Sequence, residues 1–194
     1  MLYEFDRGTV RTMRWLMKAV SKDDFHGMNV LRVINTATAH IIEACDGFRA
    51  HVWDYTGIGE VYGIDSGSYK VKIETSQIVR MDPVETDKEY PDFLAIFSIA
   101  KIIKSGMLKG KGFNKVSIDN KYLIDACSLS DDPVLIIGKG NYLVRVMHPE
   151  FSLNGYGMAM AFIMPRSING SDYNLQELTD FERRFTRKDL DNQL

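Results

Sequence analysis

The sequence predicts an α+β fold in which helices lie on one face of antiparallel sheets. The first observation is an order of strand, short helix and further strands over Val116–Arg166. The second is a hairpin signal, because Asp46-Gly47 separates two apolar runs. The third is an internal echo: Val71–Val79 and Val116–Ile124 each pass from an alternating strand through an acidic residue to an apolar pair. Together these observations predict two pseudo-repeated strand-helix-strands units.

The composition is that of an ordinary globular protein with a sizeable core. The chain has 194 residues, of which 45% are hydrophobic and 26% are charged. A formal net charge of -2 argues against a uniformly basic nucleic-acid-binding domain, but it is compatible with a local basic face. Cys45 and Cys127 both lie in apolar runs, which predicts buried thiols in a reducing compartment. With no signal peptide and no apolar run of membrane-spanning length, we expect a cytoplasmic protein.

The first half of the chain is predicted to contain one helix and a series of strands. Thr9–Val20 carries apolar residues at helical spacing. The segments predicted as strands are Met28–Asn35, Ala39–Cys45, Phe48–Tyr55 and Tyr69–Ile73, and Gly57–Gly63 is predicted to be a glycine-rich connection.

The second half is predicted to begin with a polar linker over Asp82–Asp92. Leu94–Ser105 has the pattern of a second amphipathic helix, and the basic, glycine-rich segment Met107–Lys115 follows it. We therefore expect a single domain over residues 1–165, with an inserted connection around 57–110. Residues 166–194 are expected to form a polar tail with one helix at Leu175–Phe185.

Two stretches of the sequence resemble parts of a known family. Val116–Cys127, the two strands after it and the closing Ala161-Phe-Ile-Met-Pro-Arg166 resemble the end of the last domain of a bacterial sliding clamp, the β subunit of the replicative DNA polymerase. Ile41–His51 resembles the clamp hairpin in which a strand enters Asp-Gly and a basic residue follows. Glu89–Phe93 also contains the Tyr-Pro-Asp sequence that precedes the third domain of a clamp.

The resemblance implies a DNA clamp-like fold and a function without chemistry. We expect a sliding-clamp-like processivity or tethering factor, encoded by a phage or mobile element, that binds duplex DNA non-specifically. It also implies a homo-oligomer, polymerase or other replication proteins as partners, and neither enzymatic activity nor a cofactor or metal. The sequence agrees, because it contains no nucleophile elbow, dinucleotide fingerprint or phosphate loop.

A stripe of basic residues supplies the candidate DNA-binding surface. Arg7, Arg11, Arg14 and Lys18 are spaced four, three and four residues apart, which places them on one face of a helix. Helices line the inner surface of a clamp, so the resemblance implies that these residues contact phosphates without reading bases. The other candidates are Lys101, Lys104, Lys109, Lys111 and Lys121. The alternative is a solvated helix face on a clamp-fold module that binds proteins and not DNA.

Other features of the sequence leave alternatives open. His40 and His51 are predicted to be cross-strand neighbours, either as a metal pair or as a plain surface pair. Leu175–Phe181 has a partial likeness to the peptide that partners dock into clamps, or it packs on its own domain as an amphipathic helix. The aromatic residues are candidates either for stacking on single-stranded bases or for the core, and they are Trp15, Trp53, Tyr55, Tyr62, Tyr69 and Tyr122.

Overall fold

A computed structural model of the chain describes residues 1–23, 27–56, 58, 63–85, 90, 118–136, 144–153 and 156–164. The described part of the chain begins with a strand followed by a helix, and it ends with a strand. In chain order they are β1 (Leu2–Glu4), α1 (Arg7–Met17), β2 (Leu31–Asn35), β3 (His40–Cys45), β4 (Arg49–Asp54), β5 (Gly67–Ile73), β6 (Ile78–Val84), α2 (Asn120–Cys127), β7 (Val134–Ile136), β8 (Val144–His148), α3 (Pro149–Leu153) and β9 (Met158–Ile163).

All the described strands join one antiparallel sheet in the order β1-β6-β5-β2-β3-β4-β9-β8-β7. The middle of the sheet is the pairing of β4 with β9, which runs in register from Arg49 opposite Ile163 to Asp54 opposite Met158. On either side of this pair the strands step outward in reverse chain order, β3 then β2 on one side and β8 then β7 on the other. The two halves are therefore related by pseudo-symmetry about the β4–β9 contact. This arrangement confirms the predicted α+β fold of two strand-helix-strands units.

The main core lies between the sheet and the helices on one of its faces. Val10, Met13 and Leu16 of α1 are fully buried there, together with Trp53 of β4 and Ile163 of β9. A smaller apolar cluster covers the opposite face and includes Ile41, Val52 and Phe162. Because both faces of the central strands are covered, β3 and β4 are buried along almost their whole length, and the polar side chains of Glu43, Arg49 and His51 are buried with the apolar ones.

The helix α1 begins at a capping residue and continues on an amphipathic pattern. The Asp6 carboxylate accepts hydrogen bonds from the backbone N–H of Thr9 at 3.0 Å and from the Thr9 hydroxyl at 2.7 Å. Capping of this kind satisfies a backbone donor that the first helical turn leaves free. The predicted helix Thr9–Val20 is thus confirmed, with its start shifted to Arg7 and its end to Met17.

The Asp46-Gly47 turn joins β3 to β4, as the sequence predicts. Gly47 has φ +86°, a left-handed conformation that glycine adopts without steric cost. The Asp46 carboxylate accepts hydrogen bonds from the backbone N–H groups of Phe48 and Arg49 at 3.1 and 3.0 Å. The turn is therefore fixed by its own side chain.

The prediction that Val71–Val79, one of the two similar segments, passes from a strand into a helix is wrong. These residues form the end of β5, a turn and the start of β6. The Thr75 hydroxyl oxygen accepts hydrogen bonds from the backbone N–H groups of Gln77 and Ile78 at 3.1 and 2.9 Å, so the polar residues close a hairpin and do not begin a helix. The structural counterpart of α2 is α1.

The predicted start of the linker Asp82–Asp92 is also wrong, because the first residues of that segment belong to β6, which continues to Val84. Pro83 lies opposite Tyr69 in this strand. Its neighbour strand β1 pairs only with residues Ile78 to Arg80, and Met1 O accepts the N–H of Met81 at 2.9 Å. The N–H that proline lacks would point past the end of β1, which is why a proline fits there. Residues 57, 59–62, 86–89 and 91–117 lie outside the described residues. They include most of the predicted connection Gly57–Gly63 and all of the predicted helix Leu94–Ser105 and basic segment Met107–Lys115. The division of the chain at residue 165 stays a prediction.

Candidate nucleic-acid interface

The exposed side of α1 is basic along its whole length. Arg7, Arg11 and Arg14 are exposed, as is Lys18 just beyond the last helical residue. The other side of the helix packs on the sheet through Val10, Met13 and four further buried residues. No acidic residue occurs between Arg7 and Lys18. Within the described part of the chain, no salt bridge involves the three arginines.

Lys18 differs from the arginines because it is already engaged within the protein. Its Nζ lies 2.7 Å from the Ser128 hydroxyl and 3.7 Å from a carboxylate oxygen of Asp125. These contacts link the end of α1 to the end of α2. The structure therefore separates the predicted stripe into an open arginine face and a lysine that joins two helices.

Arg49 is the centre of this helix junction, a role that the sequence analysis missed. It is only 6% exposed, and its guanidinium contacts Asp46 at 3.0 Å and Asp125 at 2.6 Å. Its Nη2 also donates a hydrogen bond to the backbone carbonyl of Lys18, beyond the last turn of α1. A cation at this end of a helix satisfies free carbonyls and complements the helix dipole. Asp-Gly followed by a basic residue was the available signal, although it did not indicate that the arginine points inward.

The carboxylate of Asp125 is stabilised in its charged form. Burial by itself raises the pKa of Asp125, but the hydrogen bond and charge of Arg49 lower it, and Lys18 and Lys121 add to that effect. The net result is a pKa below the ordinary value. Lys121 therefore lies close enough to Asp125 to influence it, at the exposed start of α2. The structure thus brings Lys18 and Lys121 to the same helix junction.

A cluster of buried rings holds both helices on the sheet. His51 of β4 stacks on Trp15 of α1 at 4.2 Å, and its Nδ1 lies 2.8 Å from the Trp15 carbonyl oxygen. His148 of β8 meets the same indole edge-on, with its Nε2 2.9 Å from the carbonyl oxygen of Ala126 and its Nδ1 2.7 Å from the Ser130 hydroxyl. The Trp15 Nε1–H donates to that same Ala126 carbonyl at 3.0 Å.

The two histidines are held neutral by this environment. Carbonyl oxygens only accept, so His51 carries its proton on Nδ1 and His148 carries its proton on Nε2. Burial lowers the pKa of His51 to about 3, since the hydrogen bond to Trp15 offsets only part of the desolvation. Burial also lowers the pKa of His148, and the positive charge of Arg11 lowers it further. The scattered positions of these histidines in the sequence gave no signal of this shared site.

The predicted pairing of His40 with His51 is wrong. His51 lies opposite Ala44 in the sheet and is fully buried, whereas His40 starts β3 and places its Nδ1 3.1 Å from Asn35 Oδ1. Neither a metal pair nor a surface pair is formed, because the hairpin register sets the two residues apart along the strand. Among the described residues, no group of three or more His, Cys, Asp or Glu side chains could hold a metal ion.

The remaining site predictions divide into core, surface and undescribed residues. Trp15, Trp53, Tyr55 and Tyr69 are buried, which confirms the core alternative for them. Tyr122 is half-buried, and its ring stacks on the exposed ring of Phe48 at 6.0 Å. Five predicted positions and the tail segment lie outside the described residues, and they are Tyr62, Lys101, Lys104, Lys109, Lys111 and Leu175–Phe185.

Two pseudo-symmetric units that share one sheet, with helices on one face, define a clamp-fold domain. Solved structures of bacterial sliding clamps are similar to it. The DNA polymerase sliding clamp of Pseudomonas aeruginosa matches with a TM-score of 0.55 and 10% identity over 87% of this chain. DNA polymerase III subunit beta of Borrelia burgdorferi matches with a TM-score of 0.54 and 10% identity. The β subunit of Thermotoga maritima matches with a TM-score of 0.52 and 12% identity, and each match covers 87% of this chain.

These similarities establish the fold of the chain as that of a sliding clamp. The matched region spans 65 to 66% of the length of the three clamp chains. Neither the family models nor the curated proteins give a match to the sequence. No helix in the described part of the chain is long and apolar enough to cross a membrane.

Proposed function

We propose that this clamp-fold protein binds duplex DNA non-specifically through the exposed face of α1 and acts as a processivity or tethering factor. The observation that carries the proposal is the open arginine face of Arg7, Arg11 and Arg14, which has no acidic neighbour on its helix. Guanidinium groups are suited to phosphate contacts, and a rigid helix holds them without base-specific groups. Lys121 extends the positive surface to α2.

The rest of the proposal follows the solved structures with the same fold. They are DNA polymerase clamps, so we propose replication proteins as partners and self-association of the chain. We also propose a role without catalysis. The predicted lysines Lys101, Lys104, Lys109 and Lys111 remain part of the proposed DNA-binding set.

The test is the salt dependence of binding to a fluorescent duplex. Each phosphate contact contributes about 0.9 to the slope of log K against log salt concentration. Substituting Arg7, Arg11 and Arg14 together with Ala is expected to reduce the slope by up to about 2.7. A matched control removes Lys70, Lys72 and Arg80, which are exposed on the opposite face of the sheet and carry the same total charge.

Comparison of the two triple variants shows whether DNA binding depends on the exposed face of α1 or only on the total positive charge of the protein. The proposal expects the α1 variant to lose most of the affinity and slope, and the control variant to keep them. If the native protein and both variants show the same negligible affinity at low salt, the chain is a clamp-fold protein-interaction module.

A further inference from the structure

The first turn of α1 is in close contact with Tyr156, which lies two residues before β9. A Cβ atom added at Gly8 would lie 2.6 and 2.7 Å from Cε1 and Cζ of the Tyr156 ring. Glycine therefore leaves the room that this ring occupies against the helix backbone. Arg7 precedes Gly8, and Arg11 follows it by three positions, which makes it a neighbour of Gly8 on the helix surface. The ring thus supports the turn from which two of the three arginines project.

The Tyr156 ring is itself held by the sheet and by α3. Its backbone carbonyl accepts the indole N–H of Trp53 at 2.6 Å, and Trp53 is buried in β4. Its backbone N–H donates to the carbonyl of Phe151 at 2.9 Å, and the rings of these two residues lie 5.7 Å apart. Gly157 follows with φ +79° and fits closely over the Asp54 carbonyl. These contacts fix the ring in place before any partner binds.

The two ends of α1 are fixed by different parts of the protein. The hydrogen bonds of Thr9 to Asp6 join residues three positions apart, so they stabilise the first turn without orienting it on the sheet. The far end is held by Arg49 through the carbonyl of Lys18. Tyr156 holds the near end. Because a helix moves as a rigid rod, contacts at its two ends together set its direction over the sheet.

We propose that Tyr156 is a positioning residue for DNA binding, whose ring seats the first turn of α1 and so sets where Arg7 and Arg11 meet the phosphates. This role rests on the proposed function, since it assumes that the arginine face binds the duplex. Binding groups work together only when the structure holds them at a fixed spacing. Without the seat, Arg7 and Arg11 shift with the first turn, while Arg14 stays with the end that Arg49 anchors.

The first experiment measures the salt dependence of duplex binding in two Tyr156 variants of the full chain. Tyr156→Ala removes the ring, whereas Tyr156→Phe keeps the ring and removes only the hydroxyl. We expect Tyr156→Ala to lower the slope of log K against log salt concentration by about 0.9 to 1.8, the loss of one or two phosphate contacts. We expect Tyr156→Phe to keep the native slope. An equal loss in both variants would assign the effect to the hydroxyl and overturn the positioning role.

The control for a general loss of stability is Val33→Ala. Val33 is buried in β2, so its truncation weakens the core and leaves Gly8 and Tyr156 unchanged. All variants are compared under conditions in which circular dichroism shows them to be folded. We expect Val33→Ala to have a lower unfolding midpoint but the native slope. A slope loss in Val33→Ala equal to that in Tyr156→Ala would make Tyr156 a merely stabilising residue and overturn the proposal.

The second experiment tests the contact from the side of the helix. In Gly8→Ala the new methyl group overlaps the Tyr156 ring, so we expect a slope loss like that of Tyr156→Ala. In the Tyr156→Ala background the space is open, and Gly8→Ala is expected to cause no further loss. Gly67→Ala is the matched control and should keep the native slope, because its added Cβ would meet only ordinary contacts, the nearest at 3.6 Å. Additive losses for Gly8 and Tyr156 would contradict a shared contact.

The outcomes distinguish the positioning role from the proposed function. If the α1 triple variant loses the salt slope but Tyr156→Ala keeps it, duplex binding stands and the positioning role is overturned. If the native protein has no affinity for duplex DNA, both are overturned. Loss of slope in Tyr156→Ala and Gly8→Ala, with the native slope in Tyr156→Phe and Val33→Ala, supports both.

Discussion

Arg49 Nη1 lies 2.6 Å from a carboxylate oxygen of Asp125, and this contact fastens the β3–β4 hairpin to α2. The two residues are 76 positions apart in the chain. Through the carbonyl of Lys18, the same guanidinium also holds the end of α1. One buried arginine therefore sets the relative positions of the two helices that carry the candidate DNA-binding residues.

Replacing Arg49 is expected to destabilise the fold strongly. Arg49→Met takes the buried guanidinium away from Asp46 and leaves Asp125 with only the Lys18 ammonium at 3.7 Å, and breaking a buried pair in this way costs about 3 to 5 kcal/mol of unfolding free energy. Arg80→Met is the matched control, because Arg80 is 50% exposed and pairs with Glu74 on the surface, where such pairs contribute about 1 kcal/mol or less. Urea denaturation at neutral pH gives both values. Equal unfolding midpoints for the two variants would contradict a structural role for Arg49.

The buried histidines are expected to make the fold sensitive to acid. Burial holds the pKa of His51 at about 3 in the folded state, below its ordinary value of 6.5. Between these values the unfolded chain binds the additional proton, so stability is lost as the pH falls from about 6.5 toward 3, at about 1.4 kcal/mol per pH unit. His51→Gln is expected to show a correspondingly shallower loss between pH 6 and pH 4.

Unfolding free energies from urea titrations across this pH range test the histidine prediction. The control is His40→Gln, which changes a half-buried histidine at the start of β3. We expect the control to keep the native slope. An identical slope in His51→Gln and the native protein would show that His51 is not the group whose protonation unfolds the chain.

Gly157 is expected to tolerate no side chain. It has φ +79°, and a Cβ built there would lie 2.1 Å from the backbone oxygen of Asp54. Gly63→Ala is the matched control, because Gly63 also has a positive φ of +55° but, among the described residues other than its chain neighbours, no atom lies within 4 Å of its Cβ position. The control is expected to lose about 1 kcal/mol from the left-handed conformation alone, and Gly157→Ala considerably more. A thermal shift of the same size in both variants would argue against the close contact.

The two ends of the sheet are expected to mediate self-association. In the described part of the chain, β1 and β7 each pair on one side only, and Val134 and Leu135 of β7 are 46% and 42% exposed. Apolar edge strands pair readily with another copy, and a lysine on the edge opposes this. Leu135→Lys is expected to lower the mass measured by sedimentation at high concentration. Ile124→Lys, at a 67% exposed position on α2, is the control and should leave the mass unchanged. A monomeric native protein would rule out a ring.

The local elements of this protein are determined by short stretches of its sequence. The apolar spacing of Val10, Met13 and Leu16 defined α1, Asp46-Gly47 defined the central hairpin, and Asp119 capped α2 through the N–H of Lys121 at 2.9 Å. Each of these depends on groups within four positions along the chain, so the sequence pattern contains the whole cause. The dependence on near neighbours also explains why the helix predicted in Val71–Val79 was wrong. A polar side chain there can form either a helix cap or a turn, and the local sequence does not distinguish between them.

Only the tertiary structure decided which distant segments meet. The indole N–H of Trp53 donates to the Tyr156 carbonyl 103 positions away, and the β4–β9 pairing places His51, His148 and Trp15 in one core. Burial then decided protonation and pairing, because the energy of a charge depends on its three-dimensional surroundings and not on its neighbours in the chain. For that reason the basic stripe was visible in the sequence, while the engagement of Lys18 and the burial of Arg49 were not.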